Sequence, residues 1–243
     1  DRECDRMEYD GSMMFDEYPD KFMMEHICRK IEQEVLKEEE GNTPAIIIEE
    51  TYQAYYNKVP VWRKEKADKY VNKDDRARSI GAWTLWQMMQ RELDVPEEAV
   101  FNLSHSGRYV LCACSDRTDA KVGCDVEMKG KLLMPVAERY FGKQECEQIR
   151  SGKDEKDRTD WFYRFWVLKE SFMKATRRGM GLDMKTYTFA WDQDGVPYMS
   201  TQPEKYRDHY LCREYIPEQG DARIAVITTD PEIEGSLHEV RLI

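Results

Sequence analysis

No C-x-x-C pair, no long apolar run and no excess of basic residues occurs in this sequence, and each absence excludes a class of protein. The seven cysteines are odd in number and scattered, with Cys112 and Cys114 in an alternating run that would turn both inward. That pattern fits reduced thiols in a cytoplasmic protein rather than a disulfide framework. Apolar stretches such as Ala45 to Ile48 fall far short of the roughly 20 residues that cross a bilayer. The acidic N-terminus lacks the basic-then-apolar order of a signal segment, so the expectation is a soluble intracellular protein with no membrane partner. A net charge of −11 argues against a general nucleic-acid binder, because affinity for phosphate backbones rests on accumulated Lys and Arg.

The charge is unevenly placed. Residues 1–43 hold fourteen acids and six bases, which accounts for −8 of the −11, so basic patches for an anionic ligand remain open in the other 200 residues. A chain of 243 residues is long enough to bury a substantial core as one large domain or two small ones.

The spacing of Phe22, Met23, Ile27, Ile31 and Val35 predicts a helix from Asp20 to Gly41-Asn42, an accessory to the main body or an acidic arm. A strand is expected over Ala45–Thr51. Residues 58–75, with Arg63, Lys64, Lys66, Lys69 and Lys73, read as a solvated helix face. They lead through Arg76-Ala-Arg78 into a helix carrying Trp83, Leu85, Trp86, Met88 and Met89 toward the core. A hairpin is expected over 109–127. Helices follow from about Pro135 to Phe141, from Lys143 to Arg150, and from Asp160, a candidate N-cap, to about Arg178, with Gly179 as C-cap. Strands are expected over 186–192, 196–200, 210–215 and 223–228. The count suggests two α+β halves dividing near residue 117.

Three stretches carry chemistry. In Val122-Gly-Cys-Asp-Val-Glu127, strand alternation brings Asp125 and Glu127 side by side, where two like charges call for a counter-ion such as Mg²⁺. An isolated D-x-E is more often a solvated strand edge. Ser104-His-Ser-Gly107 clusters two hydroxyls, an imidazole and a flexible backbone before a strand, a group suited to a phosphate. On the last long helix, Trp166, Glu170, Lys174 and Arg177 form a stripe. Glu170 and Lys174 read either as an ordinary i,i+4 ion pair or as the third carboxylate and the ammonium that a metal-bound diphosphate wants.

Taken in order, Phe101-Asn-Leu-Ser-His-Ser-Gly107, Val122-Gly-Cys-Asp-Val-Glu127 and Phe165-Trp-Val-Leu-Lys-Glu-Ser-Phe-Met-Lys-Ala175 resemble the Sfp-type 4′-phosphopantetheinyl transferase family, from about residue 45 onward. The resemblance implies two similar α+β halves related by a pseudo-two-fold axis, here 44–117 and 118–243; the acidic extension 1–43 lies outside it. Coenzyme A and Mg²⁺ would bind between the halves. The implied reaction moves the 4′-phosphopantetheine arm of coenzyme A to a serine of an apo acyl- or peptidyl-carrier protein and releases adenosine 3′,5′-bisphosphate.

Carried over by position, Asp125, Glu127 and Glu170 would hold the metal, and Glu170 would in addition take the serine proton. Ser104 and His105 would meet the 3′-phosphate of coenzyme A, and Lys169 and Lys174 its diphosphate. Arg76 or Arg78 would supply a phosphate-binding arginine, with Arg63, Lys64 and Lys66 as weaker candidates. Leu132, Leu133, Met134, Tyr140 and Phe141 would meet the carrier. A Gly-Lys-Pro segment common in the family is absent between Leu93 and Phe101. The alternatives are a non-catalytic coenzyme A or carrier-protein binder, and a metal-dependent nuclease, which the acidic surface disfavours. Two fused halves make a monomer the default.

Overall fold

The computed structural model describes residues 49–240 and residue 242. The acidic extension and its expected helix lie outside the described residues, as does most of the strand expected over 45–51. The end of that segment is helical instead: Glu49–Thr51 open α1, Glu49–Lys58. Tyr52, Tyr55 and Tyr56, spaced i, i+3 and i+4, pack against Val59, Ala67 and Ile80, and that helical face decides the segment.

After Pro60 come α2, Val61–Asp68, and α3, Lys73–Glu92. The Asn72 side chain accepts the Asp74 N–H at 2.9 Å and so caps α3, and Asp74 and Asp75 add negative charge where the helix dipole favours it. Ile80, Ala82 and Trp86 form its buried side, with Trp86 stacked on Phe101 at 4.1 Å between ring centroids. Lys69 and Lys73 are exposed, as the solvated-face reading expects. Arg63 departs from it: the residue is buried, donates to Ser79 Oγ at 3.3 Å, and stacks near both Trp62 and Trp83.

The strands pair differently from expectation. β1, Val100–Ser106, and β2, Tyr109–Ser115, form the hairpin, with Ser106 opposite Tyr109. Gly107 takes the first position of the two-residue turn at φ +53°. β3, Val122–Met128, does not pair with β2. It joins β7, Ala222–Thr228, as the outer strand of a three-stranded antiparallel sheet completed by β6, Leu211–Tyr215. A hairpin over 109–127 is therefore replaced by one over 100–115, closed by the tight glycine turn at residue 107. β4, Thr188–Trp191, and β5, Pro197–Thr201, make a separate ribbon.

Between β3 and β4 lie α4, Met134–Tyr140, α5, Lys143–Arg150, and α6, Glu155–Ala175. α6 starts five residues before Asp160. Asp154 accepts the Asp157 N–H at 2.8 Å while Asp157 accepts the Lys153 N–H at 3.0 Å, a reciprocal cap. Asp160 instead pairs with Arg223 and, at 3.3 Å, with Lys129. The helix also stops short of Gly179, because Arg177 itself turns left-handed at φ +53°.

Phe162, Phe165, Trp166, Leu168, Phe172 and Met173 of α6 are fully buried among Phe141, Ile149, Tyr187, Phe189, Ala225 and Ile227. Each large side chain so buried contributes about 1.5–3 kcal/mol. This makes α6 the central helix, lying across β3 and β7, while α3 lies across β1 and β2. The result is a mixed α+β fold with a long helix on an antiparallel sheet in each part.

Gly123 sets how closely α6 approaches β3. A Cβ there would lie 2.0 Å from Ser171 O and 2.4 Å from Ala175 N, both backbone atoms that cannot swing aside. Ser171 holds the helix down from its own side, donating to Ala225 O at 3.0 Å. Gly123→Ala is expected to destabilise the protein by about 1–3 kcal/mol through overpacking. Gly181→Ala, whose Cβ would enter open space, should stay within about 0.5 kcal/mol of the parent. Urea unfolding of the two variants checks the difference.

Candidate active site

β1 and β3 run side by side without a backbone ladder between them. As the outer strand of its sheet, β3 turns the N–H groups of Cys124, Val126 and Met128 away from β7. Strand alternation places Asn102, Ser104 and Ser106 on one face of β1, and their side chains take up those donors. Asn102 Oδ1 accepts from Cys124 N at 2.9 Å, Ser104 Oγ from Val126 N at 3.4 Å, and Ser106 Oγ from Met128 N at 3.2 Å.

The same serines reach the carboxylates. Ser104 donates to Asp125 Oδ1 at 2.8 Å, and Ser106 donates to Glu127 Oε2 at 2.8 Å. From α6, Lys174 Nζ donates to Asp125 Oδ1 at 2.8 Å and to Ser104 Oγ at 2.9 Å. Asp125 and Lys174 form an ion pair whose side chains are only 4% and 7% exposed, so solvent screens it little. Cys124, the neighbour of Asp125, gives its thiol to Asn102 O at 3.2 Å, and burial pushes its pKa up to about 12. It is a packing residue.

Burial raises the Asp125 pKa, opposed by the ammonium of Lys174 and the hydroxyl of Ser104. For Lys174 burial disfavours the charge, but Asp125 foremost among nearby anions overcomes it and holds the pKa above its ordinary value. Glu170 lies one turn before Lys174. Burial and then the Asp125 charge push its pKa up to about 8, with Lys174 pulling the other way.

Among the described residues, no three carboxylate, imidazole or thiol groups stand close enough together to enclose a metal ion as placed. The expected convergence of Asp125, Glu127 and Glu170 is thus not preformed, and the immediate counter-ion of Asp125 is Lys174. The chemistry of the donors nonetheless fits a further cation. Asp125 Oδ2 is buried with no hydrogen-bond partner, and the Asp125 charge disfavours the ionisation of Glu170. Hard oxygen donors in that state suit Mg²⁺.

The remaining expected residues divide. Ser104 faces β3, and its one proton and both acceptor sites serve Asp125, Lys174 and Val126 N. A phosphate contact through its hydroxyl is replaced by this role in the carboxylate cluster. His105 alternates to the opposite face and is half-buried. Arg78 reaches the turn that follows, donating to Gly107 O at 3.1 Å and pairing with Asp75, with its Nε buried and unbonded. Arg76 donates to Tyr70 O at 2.7 Å instead. Of the two arginines, Arg78 is the one whose guanidinium reaches the β1–β2 turn.

Lys169 requires a correction. It is fully buried, and its three N–H donors go to Glu145 Oε2 at 2.9 Å, Met184 O at 2.8 Å and Tyr187 O at 2.9 Å. Glu145 in turn accepts from Gly142 N and Phe189 N. A diphosphate contact by Lys169 is excluded because nothing is left to donate; it ties α5 and α6 to the segment before β4. Phe141 is likewise core, whereas Leu132, Leu133, Met134 and Tyr140 are only partly buried. Ser106 is the participant whose specific contact went unassigned, although the alternation Asn-x-Ser-x-Ser in β1 was visible.

The profile of the 4′-phosphopantetheinyl transferase superfamily matches residues 121–227. The chain is 30% identical over 153 residues to the 4′-phosphopantetheinyl transferase Sfp of Bacillus subtilis (strain 168), covering 55% of this chain and 66% of that one. It is also 30% identical over 158 residues to the L-aminoadipate-semialdehyde dehydrogenase-phosphopantetheinyl transferase of Mus musculus, covering 52% and 50%. It therefore spans about half to two thirds of the length of these two relatives. The crystal structure of Thermotoga maritima holo-[acyl-carrier-protein] synthase superposes with a TM-score of 0.38 at 21% identity, over 44% of this chain and 61% of that one, a likeness too slight to bear on the site.

Lys169→Met leaves Glu145 charged and unpaired in the core, which is expected to destabilise the protein by about 3–5 kcal/mol. Denaturant unfolding should show that loss.

Proposed function

We propose that this chain, through the 4′-phosphopantetheinyl transferase superfamily domain at residues 121–227, moves the 4′-phosphopantetheine arm of coenzyme A to a serine hydroxyl of an apo acyl- or peptidyl-carrier protein and releases adenosine 3′,5′-bisphosphate. The part up to about residue 117 would hold the nucleotide end and the remainder the reacting phosphates. The protein is proposed to act as a cytoplasmic monomer. The carrying observation is the buried centre in which Lys174 and Ser104 share one oxygen of Asp125 while the other is left unbonded.

The attacking serine oxygen bonds to the phosphorus that carries the pantetheine arm, and the bond from that phosphorus to the bridging oxygen breaks. Negative charge grows on phosphoryl oxygens and on the departing bisphosphate, so the protein contributes chiefly positioning and charge neutralisation. Two of the three Lys174 N–H groups serve Asp125 and Ser104; the third is assigned to a phosphoryl oxygen. Held above its ordinary pKa by Asp125, this ammonium stays charged at the working pH.

Asp125, Glu127 and Glu170 are the residues that would hold Mg²⁺, which when bound supplies charge neutralisation at the diphosphate. Glu170, one helical turn from Lys174, would take the serine proton directly or through a water in its ionised form, which Lys174 favours and which burial and the Asp125 charge oppose by pushing its pKa up to about 8. Arg78 and His105, at the β1–β2 end of the seam, are assigned to the 3′-phosphate. The partly buried Leu132, Leu133, Met134 and Tyr140 form the surface offered to the carrier.

Mass spectrometry of an apo-carrier protein incubated with the full chain, coenzyme A and Mg²⁺ tests the reading, which expects a pantetheinyl adduct on one serine. Lys174→Ala should lower kcat by about 10²–10³-fold. Coenzyme A binding without any adduct on fatty-acid, polyketide or peptide carriers would replace this reading by the binding-only one.

A further inference from the structure

We infer that Asp75 is a positioning residue for Arg78: its carboxylate, one turn earlier on α3, sets the guanidinium against the β1–β2 turn and thereby makes binding sensitive to the 3′-phosphate of coenzyme A. The inference rests on the reading given above, which assigns Arg78 to that phosphate, and deepens it.

Arg78 is buried, its side chain only 9% exposed. A guanidinium is a rigid plane with five N–H donors, so two fixed acceptors on different nitrogens settle its orientation. Asp75 Oδ1 accepts from Nη2, and Gly107 O accepts from Nη1 at 3.1 Å. The second acceptor is itself held still. A Cβ on Gly107 would lie 1.8 Å from Met128 Sδ, so the turn rests directly on that side chain, and Tyr109 beyond the turn donates to Asp221 Oδ1 at 2.6 Å. Arg78 Nε is buried with no hydrogen-bond partner. A buried donor left unbonded is costly, and on a cation an oxyanion is the acceptor that suits it best.

The helix dipole alone does not account for Asp75. Asp74 offers the same charge in the same first turn of α3, yet it is exposed, and the guanidinium pairs with Asp75. The two acids serve the dipole alike and differ in their relation to Arg78, which separates helix stabilisation from positioning.

The test is calorimetry on the full chain with coenzyme A and with dephospho-coenzyme A, which lacks the 3′-phosphate, with thermal unfolding measured alongside. The parent should bind coenzyme A the more tightly. Asp75→Ala should weaken coenzyme A binding by about tenfold, because the ligand must then order the arginine itself, and should leave dephospho-coenzyme A within about twofold. Asp75→Asn, which keeps the acceptor oxygen, should recover most of the affinity. Asp74→Ala should lower the unfolding temperature slightly and leave both affinities within about twofold.

Coenzyme A affinity unchanged or raised in Asp75→Ala, or no recovery in Asp75→Asn, would overturn the inference while leaving the proposed reaction standing. Equal losses for the two ligands, or the same loss in Asp74→Ala, would also overturn it, since a general disturbance of α3 would then explain the effect. A parent that binds the two ligands equally would remove the assignment of Arg78 together with this inference, and a parent that binds neither would overturn the proposed function as well.

Discussion

The structure depends on one buried ion pair, Asp125 with Lys174, drawn from an outer strand and from the central helix. Removing two charges from water costs several kcal/mol per ion, and a well-packed apolar pair in their place is often as stable or more so. Stability alone therefore gives no reason for these groups to be there. What makes the arrangement tolerable is close support: Ser104 bonded to both members, and Gly123, which lets the α6 backbone approach closely enough for the lysine to reach. The centre is assembled against its own desolvation, with one carboxylate oxygen still unbonded and burial pushing the pKa of a second acid, Glu170, up to about 8.

The two lysines of α6 show how position on a helix separates chemistry from architecture. Lys169 and Lys174 are five residues apart, which is about 140° around the axis. One faces the α5 side, and its donors are all used by Glu145 and two carbonyls. The other faces β3 and meets Asp125. Burial lowers the Lys169 pKa against the pull of Glu145, whereas the surrounding anions raise that of Lys174. Identical side chains on one helix thus acquire opposite electrostatic fates from the elements packed against each face.

The seam between β1 and β3 is made of side chains rather than a backbone ladder. Three short polar residues of β1 satisfy three outward N–H groups of β3, and two of them also hold the acids. Joining the parts and preparing the site are one set of hydrogen bonds. Movement of β1 relative to β3 would disturb both.

Local pattern was enough for much of this. Alternation in Val122–Met128 placed Asp125 and Glu127 on one face, helical spacing set Glu170 beside Lys174, and the four late strands and the helix over Lys143–Arg150 lie where their apolar periodicity puts them. Failures came where a residue's partner is distant in the chain or where two local signals compete. A glycine turn at 107 paired β2 backward with β1, leaving β3 to find β7 about a hundred residues later. Asp154 outcompeted Asp160 as cap because Asp157 reciprocates and Arg223 engages Asp160. The sequence by itself determined which residue types face which way along each strand and helix, since that follows from backbone period alone. Only the tertiary structure decided that Lys169 is a strut, that Arg78 and not Arg76 reaches the β1 turn, and that Ser104 and Ser106 each hold a carboxylate, because those facts depend on which faces the packing brings together.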